Sequence, residues 1–378
     1  MPSLPDKALR RNDHQSGEAL AAAYRARLRR RRLTLIPLLA LVAAAALYAL
    51  GLGAYPLGWG VVWRVVAAHL TGHASHSLAD SIVWQIRAPR VLLGLLVGAA
   101  LAGSGAIYQA LFRNPMADPY IIGVSAGAAL GAVIEITLQA PLIAFAAHLG
   151  PFRWIWVHLT SSRPVFAFAL GIATVILVYR IALRSGRAHV TTLLLAGIAA
   201  SSLLSSLMAL LEVFNTRGQQ LSGVVRWLLG GLEDRTWGDV SAVYPWILIG
   251  LALALVSAGR MNLMLLGDET AQQLGVSPEA FRRLLLTAAT LATAAAVAMS
   301  GLIGFVGLIV PHFCRLLWGP DYRILMPASI LCGAAFLILA DGLARTALAP
   351  QEIPVGIITA LAGAPFFIAI LRARGMEA

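Results

Sequence analysis

Residues 284–310 read LLLTAATLATAAAVAMSGLIGFVGLIV, and no charge interrupts them. A helix crosses the hydrocarbon core of a bilayer in about 20 residues. The stretch is therefore either one overlong span or two spans joined by a tight turn at Ser300-Gly301-Leu302-Ile303-Gly304. Parity decides between them. Arg25, Arg27 and Arg29–Arg32 stand directly before the first apolar run, and Arg372 and Arg374 follow the last. Lys and Arg collect on the cytoplasmic side of membrane helices, so both ends are predicted in the cytosol and the number of crossings is even. Splitting the run gives ten spans: 33–53, 91–112, 119–138, 165–183, 191–213, 241–258, 284–303, 304–317, 325–344 and 354–371.

Composition agrees with this reading. The 378 residues are 59% hydrophobic and 12% charged, against about 25% charged in soluble domains. Continuous apolar runs exclude a membrane β-barrel, whose strands alternate. The net charge of +12 does not point to nucleic acid, because the cations flank apolar runs. With ten spans, 20 of the 29 Lys and Arg fall on the cytoplasmic side and nine outside, which supports an N-in, C-in topology. The run from Leu33 to about Gly53 is longer than the h-region of a signal peptide, about 7–15 residues, and reads as a retained first span. Residues 1–32 read as a disordered basic cytoplasmic tail, and 33–378 as one transmembrane domain.

Several chemistries are excluded by residue type. The only lysine is Lys7, so the G-x-x-x-x-G-K-[ST] loop of a nucleotide hydrolase is absent. Cys314 and Cys332 lack metal-ligand spacing and read as small buried hydrophobes. No catalytic residue, metal site or resident cofactor is expected. Gly94-x-x-x-Gly98, Gly123-x-x-x-Gly127 and Gly127-x-x-x-Gly131 allow close approach of helices, within the chain or at a dimer seam. Glu135 and Glu212 lie near outer span ends, where a solvated carboxylate is expected, although intramembrane acids are functional candidates. His69, His73 and His76 sit in the outer loop 54–90, either simply solvated or placed to ligate a metal centre. His312 reads as a packing residue, and Pro115, Pro119 and Pro311 break or bend helices.

Between the sixth and seventh spans the chain turns polar: MLLGDETAQQLGVSPEAFRR, residues 264–283. Asp268 and Glu269 stand at a helix start, where the macrodipole favours them. Gly275 is a natural stop; Ser277 and Pro278 suit the N-cap and first position of the next helix. The segment is predicted as helix–Gly–helix on the cytoplasmic side. Leu274, Val276 and Phe281 are apolar groups on it, either offered to a partner protein or packed on the segment's own span ends.

Three stretches resemble a known family, the membrane-spanning permeases of type II ABC importers, which take up iron chelates, haem and cobalamin. They are Trp84-Gln-Ile-Arg-Ala-Pro-Arg-Val91 leading into LVGAALAGSGAIYQALFRNPMADPYIIGVSAGA (96–128), LGDETAQQLGV (266–276), and GLIGFVGLIVPHFCRLLWGPDYRILMP (301–327) followed by 339–371. The match runs in order over nearly the whole chain after residue 33. It implies a bacterial inner-membrane homodimer with a central pathway, two copies of a separate ABC ATPase that binds ATP and magnesium, and a periplasmic binding protein outside. Leu266, Gly267, Asp268, Glu269, Gln273, Leu274, Gly275, Phe281 and Arg282 match the segment gripped by the ATPase, with Leu274 and Phe281 as apolar anchors. Arg87, Arg90 and Arg345 match external arginines that meet acidic residues of the binding protein; lipid-headgroup snorkelling, or pairing of Arg345 with Asp341, is the plainer alternative. The implied cargo is a metal chelate, haem first, with cobalamin and ferric siderophores as alternatives. A proton- or sodium-coupled carrier is the rival class; it needs mid-membrane carboxylates and inverted repeats.

Overall fold

The computed structural model describes residues 33–53, 55–73, 77–146, 163–184, 187–213 and 218–375. The basic tail 1–32, His76, Arg153 and Arg217 lie outside them. The described helices are α1 Leu35–Gly51, α2 Trp59–Leu70, α3 Leu78–Leu111, α4 Val124–Ala146, α5 Arg163–Ala182, α6 Val190–Val213 and α7 Gly218–Leu229, followed by α8 Trp237–Met264, α9 Asp268–Gln273, α10 Pro278–Ser300, α11 Val306–Trp318, α12 Tyr322–Thr346 and α13 Val355–Gly375. Residues Ser81–Arg87 of α3 are π-helical. A two-residue antiparallel ladder, Leu183 with Ala188 and Arg184 with Arg187, joins α5 to α6.

Each of the ten predicted spans is a helix, and six are long and apolar enough to cross a membrane. The run 284–310 is indeed split. Gly301 has φ of 65°, which only glycine adopts freely, and a Cβ there would strike the Trp227 carbonyl oxygen. Phe305, also left-handed at 68°, starts α11. The sequence reading did not foresee α2 and α7 as helices.

The α3 helix is the axis of the molecule. It packs against α12, α10, α8, α11 and α1, and 83% of its most apolar window is buried, against 22% for α6. Glycine permits this crowding. A Cβ on Gly98 would run into the Gly333 backbone of α12, and one on Gly105 into the Gly307 backbone of α11. Gly127 and Gly131 meet the α5 backbone at Leu170 and Phe166. These glycines therefore serve packing within the chain.

The α11 helix has 13 residues and at 1.5 Å per residue reaches about 20 Å, too short to cross alone. The irregular backbone before it, 301–305, meets the irregular segment after α3. The Tyr120 hydroxyl donates to the Ile303 carbonyl at 3.0 Å and accepts from the Ile303 amide at 3.3 Å, and Pro119 lies against Gly307. Irregular backbone at membrane depth persists only where protein covers its polar groups, and these two segments cover each other.

Replacing Gly105 with Val forces two backbones apart. Overpacking costs about 1–3 kcal/mol, and this obstacle cannot rotate away, so a fall in unfolding temperature is expected in detergent. Gly60→Ala, where nothing lies within 4 Å, should melt like the parent; equal melting of both variants would contradict the packing role.

Candidate functional site

Two charged assemblies occupy opposite ends of α3. From Ala88 to Leu111 the helix rises about 36 Å at 1.5 Å per residue, enough to separate the two faces of a bilayer core of about 30 Å.

At the C-terminal end of α3 lies the polar segment 264–283. Gly267 (φ 110°) and Gly275 (φ 84°) reverse the chain on either side of α9. Pro278 starts α10 and Ser277 takes the N-cap position, though its side chain makes no capping hydrogen bond. Asp268 clips the segment in place. One oxygen accepts from Arg113 at 2.7 Å, just beyond α3, and the other from Arg282 of α10 at 2.9 Å. Arg282 also reaches Glu279 at 3.2 Å and the Ala188 carbonyl at 3.3 Å. Glu279 accepts from the Ala188 amide and from the Tyr179 hydroxyl of α5. The ends of α3, α8 and α10 thus meet at one small helix, and Glu279 of α10 ties in the end of α5. A groove of about 550 Å³ opens beside it, bordered by Phe112, Arg113, Leu266, Asp268, Glu269 and Arg282.

Exposure separates the predicted residues. Leu266 and Leu274 are 61% and 55% exposed, and Glu269 and Gln273 face outward with them. Phe281, read from sequence as an exposed anchor, is buried, as are Val276 and Ala271. Together they form the inner side of the segment, because α9 and the first turn of α10 fold onto the ends of the longer helices. Arg282 is likewise buried and acts as a fastening. Arg113, Tyr179 and Glu279 were missed as partners; only the Glu279–Arg282 spacing is legible along one helix.

At the other end, Arg87, Arg90 and Arg345 are 5%, 7% and 4% exposed, so none is the freely exposed external arginine that the resemblance implied. Arg87 donates to the carbonyls of Leu50, Gly51 and Tyr55. Arg345 donates to Ala49 and Leu52 and pairs with Asp341 at 3.0 Å. Both satisfy the last carbonyls of α1, which the helix itself leaves without partners. Arg90 grips Asp341 through Nε and Nη2 and gives Nη1 to Glu352 at 2.7 Å. The Glu352 side chain is 35% exposed and is the only outward member of this network. Next to it a cavity of about 1130 Å³ is lined by Arg90, Arg226, Glu233, Arg235 and Glu352, among others.

The remaining sequence candidates are all placed by local contacts. Glu135 is buried and pairs with Arg163 at 3.1 Å, so it is not a solvated end. Glu212 keeps one buried oxygen without a partner. His69 bonds Asp80 at 2.8 Å and stacks on Trp84 at 3.9 Å, His73 is exposed, and His312 is buried in α11. Cys314 is buried and Cys332 half-buried, both free. Among the described residues no group of three His, Cys, Asp or Glu is placed to hold a metal.

A family model described as the FecCD transport family matches residues 40–373. The cobalamin import system permease protein BtuC of Halobacterium salinarum is 46% identical over 79% of this chain and 76% of its own length. The hemin transport system permease protein HmuU of Yersinia pestis is 40% identical over 91% and 96%. The Fe(3+)-citrate import system permease protein YfmD of Bacillus subtilis is 40% identical over 77% and 81%. A solved structure described as an inward-facing conformation of a putative metal-chelate type ABC transporter superposes with a TM-score of 0.75 at 31% identity, covering 90% of this chain and 99% of its own. The chain belongs to the FecCD transport family.

Arg87→Ala and Arg345→Ala each strand carbonyls at the end of α1, and an unmet buried group costs about 1–3 kcal/mol. Both variants should unfold at clearly lower temperature, whereas Glu352→Gln, at a partly exposed pair, should shift melting little. Unchanged melting of Arg87→Ala would remove the capping role.

Proposed function

We propose that this FecCD-family chain is the membrane-spanning permease of an ATP-driven importer for a metal chelate. It works as a homodimer around a central pathway in a bacterial inner membrane, with both termini in the cytosol and ten crossings per copy. ATP, with magnesium, is hydrolysed by two copies of a separate ATPase, in keeping with the lack of a P-loop lysine. The observation that carries the reading is the Asp268 clip. A load applied to the exposed face of α9 passes through Arg113 to the central helix and through Arg282 to α10. Leu266, Leu274, Glu269 and Gln273 form the face that the ATPase grips; Gly267 and Gly275 set its turns; Asp268, Phe281 and Arg282 tie it to the spans.

A periplasmic binding protein docks at the opposite end. Burial changes how the three arginines serve this. Arg87 and Arg345 position α1, and Arg90 is the one an external carboxylate reaches, by displacing the exposed Glu352. The cargo belongs to the class of iron chelate, haem and cobalamin. Haem remains the first reading, supported by the 40% identity over nearly full length to the hemin permease; cobalamin is supported by the higher identity, 46%, over 79% of the chain, and ferric siderophores follow. A proton- or sodium-coupled carrier is the rival reading; Glu135 is paired with Arg163, which leaves Glu212 as the candidate acid for it.

The decisive variant is Leu266→Asp/Leu274→Asp. Co-expressed with its ATPase and reconstituted, it should lose ATPase co-purification and ATP-dependent uptake while melting like the parent. Retained ATPase, or parental uptake driven by a proton gradient without nucleotide, would overturn the reading.

A further inference from the structure

A second groove, of about 410 Å³, runs between α5 and α10 at the same end of the molecule as the polar segment. Its walls are apolar: Ile172, Val175 and Ile176 from α5, Leu286 and Leu291 from α10. Ile176 is half exposed and continues outward into Leu177 and Ile181, so the groove opens on an exposed apolar side of these two spans. From Arg283 to Leu291 it extends about 12 Å at 1.5 Å per residue, close to the depth of one leaflet, about 15 Å.

The mouth has a different chemistry. Arg180 and Arg283 line it, one from each helix, and both are exposed. Among the described residues neither has an ion pair or side-chain hydrogen bond. The nearest carboxylate in sequence, Glu279, is already taken by Tyr179, Ala188 and Arg282. No Asp or Glu occurs between Arg180 and Glu212, whereas Arg184 and Arg187 follow within seven residues. Two unpaired guanidinium groups at one end of an apolar slot between spans match a ligand with an anionic head and a hydrocarbon chain. Guanidinium favours phosphate through paired donors, and basic pockets between membrane helices take anionic lipid headgroups.

We propose that the groove between α5 and α10 binds an anionic phospholipid, with the headgroup phosphate held by Arg180 and Arg283 and one acyl chain lying along Ile176, Leu286 and Leu291. The bound lipid joins α5 to α10 beside the Glu279–Tyr179 contact and braces the spans that the α9 segment would move.

The test is native mass spectrometry of the full chain in detergent micelles doped with phosphatidylglycerol or phosphatidylcholine of identical chains. The parent should retain phosphatidylglycerol at least about fivefold better. Arg180→Gln/Arg283→Gln should bring the two lipids to parity. Thr287→Trp, which fills the groove and leaves both arginines, should also abolish the preference. Equal retention by the parent, or an undiminished preference in either variant, would overturn the proposal. So would complete displacement of the lipid by millimolar inorganic phosphate, which would make the site one for the free anion. Loss of retention together with a change in oligomer mass would assign the groove to a second copy of the chain and overturn it equally.

Discussion

Backbone-to-backbone contact along α3 is the constraint from which the architecture follows. A bilayer gives helices no hydrophobic reason to associate, because lipid chains are as apolar as leucine. Close approach must supply the attraction, and only residues without a side chain permit it. Gly98 against Gly333 and Gly105 against Gly307 bring α12 and α11 onto the central helix at van der Waals distance. The short α11 depends on this contact. So does the irregular segment 301–305, where Tyr120, from the segment after α3, meets the carbonyl and amide of Ile303.

A rigid rod fastened at both ends follows from that packing. At one end Arg87, Arg90 and Arg345 fix the end of α1, α3 and α12 into one buried charge network. Breaking one member of such a network strands its partner at a cost of several kcal/mol, so these arginines hold the shape of this end. At the other end the Arg113–Asp268 pair is half exposed and individually weak, roughly 0–1 kcal/mol. That asymmetry suits the proposed importer, held firmly at the end where a binding protein would dock and allowed to shift where an ATPase would act.

Much of this was legible in the sequence because the bilayer imposes length and polarity so strictly. The ten helices, the break after Ser300 and the bounds of α9 and α10 all follow from apolar run length, glycine and capping chemistry. The amphipathic helices α2 and α7 were missed because neither is long or apolar enough to register as a span. The burial of Phe281 and of the three arginines was illegible for another reason. Their partners, the Leu50 and Gly51 carbonyls, Asp341 and Glu352, lie far off in the chain, and only the Asp341–Arg345 spacing announces itself along one helix. Glu135 misled in the same way, since Arg163 sits on the next described helix.

The claim on which the account turns is that the α9 segment faces the cytosol. Its most direct measurement is the accessibility of a single cysteine at Thr270, an exposed position, in a background with Cys314 and Cys332 replaced. A membrane-impermeant maleimide should label it in inside-out vesicles and leave it untouched in right-side-out vesicles. Labelling from the periplasmic side would contradict the topology, and with it the motor and the direction of transport.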